Sequence, residues 1–351
     1  MGRGRPRGGS ERVVGVGLFY PQCGAIVTGL SGCWVVRAGV RGAGCGVRGV
    51  SGGGAGVPRV GARIGEERAK LSAVKPFQPA KPGTKLAGFS VLAEIGRGAA
   101  SEIYLVQDSK TKHVYALKHV RRSEPKDQRF LDQALAEAEI AAKVRHPHVR
   151  DIKRVIKSRQ RILQVTEVFL LMEYVDGISV EQHPPKSLSE ALSIFVQTAE
   201  GLGHMHSCGY VHADMKPNNI VVTESGGVKI IDLGQACATG TVKERIQGTP
   251  DYIAPEQVHR RSITPATDIY NLGATMYWCL VRKHIPTAMP KDDRLMSSLD
   301  DQFIERPQPA RELNGEVPAE LDELIMRCVE VDPLNRPGSM DGVLEVLRSL
   351  G

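Results

Sequence analysis

No two of the seven cysteines stand in a Cys-x-x-Cys pair; they fall at 23, 33, 45, 208, 237, 279 and 328. That scatter excludes the common thiolate zinc sites and gives no disulfide framework. An odd count at irregular spacing suits a reducing compartment, so a cytoplasmic location is expected. Internal repeats are missing too, which excludes solenoids and propellers. Most of the chain also lacks net charge. Residues 1–75 carry twelve Lys/Arg and three Asp/Glu, so of 46 basic and 39 acidic residues the rest hold 34 and 36. The overall +7 therefore belongs to the leader. A basic leader with no recognisable reading module leaves nucleic acid off the expected partners.

Charge is wholly absent from residues 13–36, a run of 24 that is long enough to span a bilayer. Pro21-Gln22 and five glycines inside it weaken both helix propensity and hydrophobicity. Arginines flank both ends, so no orientation is favoured, and no clean small-residue cleavage site follows. Twenty of the 38 glycines lie before residue 66. Residues 1–75 are thus expected to be a disordered Gly/Arg-rich leader, with membrane association through 13–36 disfavoured. Residues 76–87, with prolines at 76, 79 and 82, read as an extended linker.

Beyond the linker the pattern becomes regular. Residues 89–94 and 101–108 alternate like strands around a glycine-rich turn, and 113–120 supply a third strand. Residues 128–144 carry a helical pattern rich in Ala, Glu and Leu, and 165–174 read as strand again. From Leu188 helices predominate, with short strands near 220–222 and 228–231. A strand-rich first part followed by a helical second part predicts a two-lobed α+β architecture.

The chemistry concentrates in two stretches. His212-Ala213-Asp214-Met215-Lys216-Pro217-Asn218-Asn219 places a carboxylate, an ammonium and an amide within one turn, and Ile231-Asp232-Leu233-Gly234 adds a second carboxylate. Asp214 is placed to orient and deprotonate an attacking alcohol, and Lys216 to neutralise charge on a moving phosphate. Asn219 and Asp232 are hard oxygen ligands, suited to Mg²⁺ rather than to zinc or copper. A lone His-x-Asp means little, but here four polar residues share one register between hydrophobic strands.

That register resembles the catalytic loop and metal-binding motif of eukaryotic-type protein kinases, in the form found in bacterial serine/threonine kinases. The resemblance covers about residues 88–350. It implies a small β-rich lobe with one main helix (88–172), a hinge (173–177) and a larger helical lobe (178–350). By the same resemblance Ile95-Gly96-Arg97-Gly98-Ala99-Ala100-Ser101 is the glycine-rich loop over the ATP phosphates, with Ser101 in place of its third glycine. Lys118, closing Val114-Tyr115-Ala116-Leu117, would hold the α- and β-phosphates. Its partner on the following helix is Glu137 by family register; Glu139 competes, but the two point about 200° apart. Met172 would guard the rear of the adenine pocket, and the Glu173 carbonyl and Val175 amide would bond the adenine edge. Ile103, Ala116 and Val221 would sandwich the ring.

Further downstream, Gly248-Thr249-Pro250 and Ala254-Pro255-Glu256 resemble the segment that seats a protein substrate, where Thr249 would bond Asp214 and Lys216. Asp268 would support the catalytic-loop backbone, and Arg336 would pair with Glu256. Lys216, two residues after Asp214, resembles serine/threonine rather than tyrosine kinases. The resemblance implies ATP with Mg²⁺, Mn²⁺ being the alternative, and protein substrates with Ser or Thr acceptors. Leu233 replaces the usual Phe, one apolar plug for another. Ala213 replaces an Arg that commonly receives a phosphorylated loop residue, which puts that mode of switching in doubt. Two other functions make different demands. A kinase-fold binding module without turnover would lack one of Lys118, Asp214, Asn219 or Asp232. A small-molecule phosphotransferase would lack the Thr-Pro and Ala-Pro-Glu elements. This sequence carries all of them.

Overall fold

This computed structural model describes residues 80–98, 100–160, 164–289 and 304–351, together with the backbone of three strands between residues 17 and 38. Those strands are β1 (Gly17–Tyr20), β2 (Ala25–Leu30) and β3 (Cys33–Ala38), paired antiparallel in that order. Val, Ile, Thr and Trp in these stretches favour extended backbone. The rest of the leader, and the linker as far as residue 79, lie outside the described residues. Among the described residues, no helix is long and apolar enough to cross a membrane.

The small lobe is an antiparallel sheet of six strands in the order β4 (Lys85–Leu86), β5 (Phe89–Arg97), β6 (Ser101–Gln107), β7 (Val114–Arg121), β9 (Gln164–Glu173), β8 (Ile152–Gln160). The sequence reading misses β8. Its Lys and Arg residues hide the alternation, because β8 is an edge strand whose side chains mostly face water. Helix α1 (Gln128–Lys143) packs on one face of the sheet, burying Leu131, Ala134, Glu137, Ala138 and Ala141 at helical spacing. On β7 the period of two sets Ala116, Lys118 and Val120 on the α1 side, while Leu117 joins Phe89, Tyr104 and Phe169 on the other. Lys118 is therefore aimed at α1 by the strand pleat itself.

His119, also on β7, is buried and stacked on Phe169 with ring centroids 4.1 Å apart. Its Nε2 has no hydrogen-bond partner, and Glu167 Oε1 stands 3.6 Å away, too far to bond. Burial, helped by Arg121, pulls its pKa from 6.5 down to about 3. The unfolded chain then takes up a proton between about pH 6.5 and about pH 3 that the folded protein refuses, so stability falls as pH falls through that window. His119→Leu is expected to flatten the acid limb of the urea midpoint against pH; identical slopes would refute this.

The large lobe begins with β10 (Gly177–Ser179) and α2 (Leu188–Ser207), whose Ser187 Oγ caps the helix by accepting from the Glu190 N–H at 3.2 Å. There follow β11 (Tyr210–Val211), β12 (Ile220–Thr223), β13 (Val228–Ile230), β14 (Cys237–Ala238), α3 (Pro255–Val258), α4 (Pro265–Val281), α5 (Ala310–Leu313), α6 (Ala319–Cys328) and α7 (Met340–Ser349). Strands β10-β12-β13 form one small sheet and β11-β14 another. Helix α4 is buried along nearly its whole length in the main core with α2, α6 and α7. The small sheets carry the polar loops to the face of this lobe that meets the small lobe.

Candidate active site

The loop between β11 and β12 is shaped by Asp268 at the start of α4. Its Oδ2 accepts from the His212 N–H and its Oδ1 from the Ala213 N–H, each at 2.8 Å. His206 Nε2 lies 2.8 Å from Oδ2 as well. Burial pushes the Asp268 carboxyl up, but the hydrogen bonds and charge at His206 and His212 hold it below its ordinary value. So anchored, the backbone turns through a left-handed Ala213 (φ 60°). A non-glycine residue there costs roughly 1–2 kcal/mol, which the two hydrogen bonds offset. The turn presents Asp214 beyond the strand end. Asp214 Oδ2 lies 2.9 Å from Lys216 Nζ and Oδ1 accepts from Thr249 Oγ1 at 2.8 Å. Lys216 donates to Thr249 Oγ1 at 2.7 Å, which closes a three-residue ring. Asn219 donates its Nδ2 to the Asp214 carbonyl at 2.8 Å. Its amide oxygen is then the end presented to the cleft.

Across the cleft Lys118 Nζ contacts Glu137 Oε2 at 2.6 Å and Asp232 Oδ1 at 3.6 Å. Glu137 is buried, whereas Glu139 is exposed on the opposite side of α1. Burial pulls the Lys118 ammonium down, but Glu137 and Asp232 outweigh it and hold it above its ordinary value. Asp232 also has a left-handed backbone (φ 74°), and Gly234 donates its N–H to Asp232 Oδ1 at 3.2 Å. Burial pushes the Asp232 carboxyl up, and the charges of Lys118 and Arg150 more than reverse that. Strained backbone of this kind survives where neighbouring contacts over-determine it, and clusters at functional sites.

The cleft between the lobes has a volume of about 390 Å³. Of the residues singled out from the sequence, Ile95, Gly96, Gly98, Ser101, Ile103, Ala116, Lys118, Glu173, Val175, Val221, Asn219 and Asp232 line it. Glu137 and Asp214 line the adjoining hollow together with Lys118 and Asp232. Met172 does not line the cleft; it is fully buried in the small-lobe core, paired with Ala116 and Ile152. Three residues that the sequence reading passed over stand at the site. Gln133 of α1 donates to the Gly234 carbonyl at 2.6 Å, and Gln257 donates to the Ala213 carbonyl at 2.8 Å. The third, Arg150, lines the cleft. Its signal in the sequence was a charge four residues after His146, on the approach to β8.

A family-level comparison decides what this geometry belongs to. The protein kinase domain profile matches residues 89–347. The chain belongs to the protein kinase domain family. Among its relatives are the serine/threonine-protein kinase PrkC of Bacillus subtilis, 27% identical over 264 residues, and PknD of Chlamydia pneumoniae, 29% identical over 296. PknK of Mycobacterium bovis is 31% identical over 275 residues. These alignments take in 72%, 74% and 75% of this chain but only 39%, 31% and 24% of the relatives, so the chain spans well under half their length.

Membership of the kinase domain family implies ATP and a divalent cation, and the residues present fit both. A Cβ at Gly98 would meet Ser101 Oγ at 2.9 Å, so glycine there leaves room for that hydroxyl inside the turn. Among the described residues, no group of three His, Cys, Asp or Glu could hold a metal by itself. Asn219 and Asp232 would supply two oxygens to such a cation, and a nucleotide's phosphates would complete the shell.

The kinase domain's activation segment is held by contacts within the chain. Strand β14 pairs with β11, Gly240 N–H donates to the Ile263 carbonyl at 2.8 Å, and Lys243 Nζ donates to the Gln235 carbonyl at 2.7 Å. Lys229 is elsewhere, 2.9 Å from Glu173 at the hinge. Activity is therefore expected to depend little on phosphorylation of this loop. Phosphatase-treated protein and a Thr239→Ala/Thr241→Ala variant should stay within a few-fold of untreated protein, a barrier change below about 1.4 kcal/mol. A hundredfold loss in either would refute it.

Proposed function

We propose that this chain is a serine/threonine protein kinase that transfers the γ-phosphate of ATP to a Ser or Thr hydroxyl of a protein. The observation that carries this reading is the closed ring of Asp214, Lys216 and Thr249. It ties the catalytic loop to the segment that ends in Ala254-Pro255-Glu256, so the base and the acceptor-seating segment are held as one unit. Asp214 orients the acceptor hydroxyl and takes its proton. Lys216 offsets negative charge next to that carboxylate. Lys118, held by Glu137, contacts the phosphates from the other side, under the backbone of Gly96 and Gly98. Asn219 and Asp232 hold Mg²⁺, with Mn²⁺ as a substitute. When bound, Mg-ATP supplies a charge-neutralised phosphoryl group as the electrophile. Ile103, Ala116 and Val221 cover the adenine ring, and the Glu173 carbonyl and Val175 amide read its edge. The cytoplasm is the compartment this reading implies.

The acceptor type is tested by phosphoamino-acid analysis of protein incubated with labelled ATP. Phosphoserine or phosphothreonine is expected, and predominant phosphotyrosine would overturn the assignment.

A further inference from the structure

Arg97 and Arg150 are charged residues of the cleft that this mechanism leaves unused; Arg97 is committed to Glu94 at 2.9 Å, which leaves Arg150. Its position is fixed by backbone. The Arg150 N–H donates to the Ile230 carbonyl at 2.9 Å, and the Ile230 N–H donates to the His148 carbonyl at 2.8 Å. Val149 bridges Ile230 in parallel. This short ladder sets Arg150 against the strand that delivers Asp232 two residues later. Arg150 lines the cleft beside Lys118, Glu173, Asn219 and Asp232. Among the described residues, no hydrogen bond or salt bridge ends on its guanidinium. Burial pulls its pKa down, while Glu137, Asp232 and Glu173 act against that, and an arginine at this depth keeps its charge.

Charge balance gives the position its meaning. Lys118 is committed to Glu137 at 2.6 Å, and Lys229 to Glu173 at 2.9 Å. Asp232, with only the longer 3.6 Å contact to Lys118, carries the charge left over. An apolar residue at 150 would leave the cleft with a surplus negative charge, whereas Arg150 cancels it. A fixed cation in a partly desolvated cleft attracts a polyphosphate and repels a free divalent cation, with opposite signs and comparable reach.

We propose that Arg150 is a charge-balancing residue of the nucleotide cleft, strengthening its hold on metal-free nucleotide and weakening its hold on divalent cation alone. The inference rests on the nucleotide-binding reading above. It makes the metal arrive with the nucleotide rather than ahead of it.

The test measures two ligands separately on the full chain. ADP in EDTA is titrated by calorimetry, and Mn²⁺ alone by water-proton relaxation. Arg150→Gln and Arg150→Leu are expected to weaken ADP binding about tenfold and to tighten Mn²⁺ binding by a similar factor. Arg150→Lys, which keeps the charge, should behave like the native protein. Should Arg150→Leu fail to fold, the contrast between Arg150→Gln and Arg150→Lys carries the test. A purely structural role would weaken both ligands together, and that result would overturn the proposal, as would no change in either. Native protein that failed to bind ADP even with Mg²⁺ would instead overturn the nucleotide-binding reading, and this inference with it.

Discussion

Asp214→Asn is expected to lower turnover by roughly 10²–10⁴-fold, the usual contribution of a positioned general base, with nucleotide affinity changed only a few-fold. The split follows from where Asp214 sits. It belongs to the hollow beside α1 and to the ring with Lys216 and Thr249, and is not among the residues lining the nucleotide cleft. The amide would still accept from Thr249 through its oxygen. Its NH₂ end would face Lys216 Nζ, which now stands 2.9 Å from a carboxylate oxygen, so proton acceptance and charge pairing are lost together. Steady-state kinetics combined with ADP titration measures both quantities. Retention of more than about a tenth of the native turnover would mean that another group is the base.

Arg336→Met is expected to cost about 3–5 kcal/mol of stability, because it strands a buried charge. Arg336 Nη1 and Nη2 donate to Glu256 Oε1 and Oε2 at 2.8 and 2.9 Å, with side-chain exposures of 0% and 3%. The remaining guanidinium hydrogens go to the Glu330, Ala266 and Val331 carbonyls. All five donors are therefore used. Glu256 left behind keeps only the hydroxyl of Thr267, at 2.8 Å. Arg336→Lys should recover only part of the loss, since an ammonium makes no two-pronged contact. Pairing Arg336→Met with Glu256→Gln should be milder than the sum of the two changes. Urea denaturation of the native protein and the four variants checks this; a loss below about 1 kcal/mol for Arg336→Met would contradict the buried-pair account.

The sequence made the parts with a local chemical signature legible. Asp214, Asn219 and Asp232 could be named because their types and spacing are tied to one chemistry, and Lys118 through the family resemblance. The choice of Glu137 over Glu139 required the helix period together with the family register. What stayed hidden was set by tertiary surroundings. Strand β8 does not alternate cleanly because its edge position lets charged side chains stand on both faces. Arg150 reads as an ordinary surface residue until the bridge to Ile230 turns it into the cleft. Gln133 and Gln257 lie 101 residues from Gly234 and 44 from Ala213, and no local pattern marks such partners.

The most direct test of the central claim is phosphoryl transfer itself. Purified protein is incubated with Mg²⁺ and γ-labelled ATP and a generic basic protein, beside Asp232→Asn as control. The account predicts label on Ser and Thr of the acceptor with native protein, and label close to background with Asp232→Asn. No transfer by native protein, or equal transfer by the Asp232→Asn variant, would contradict it.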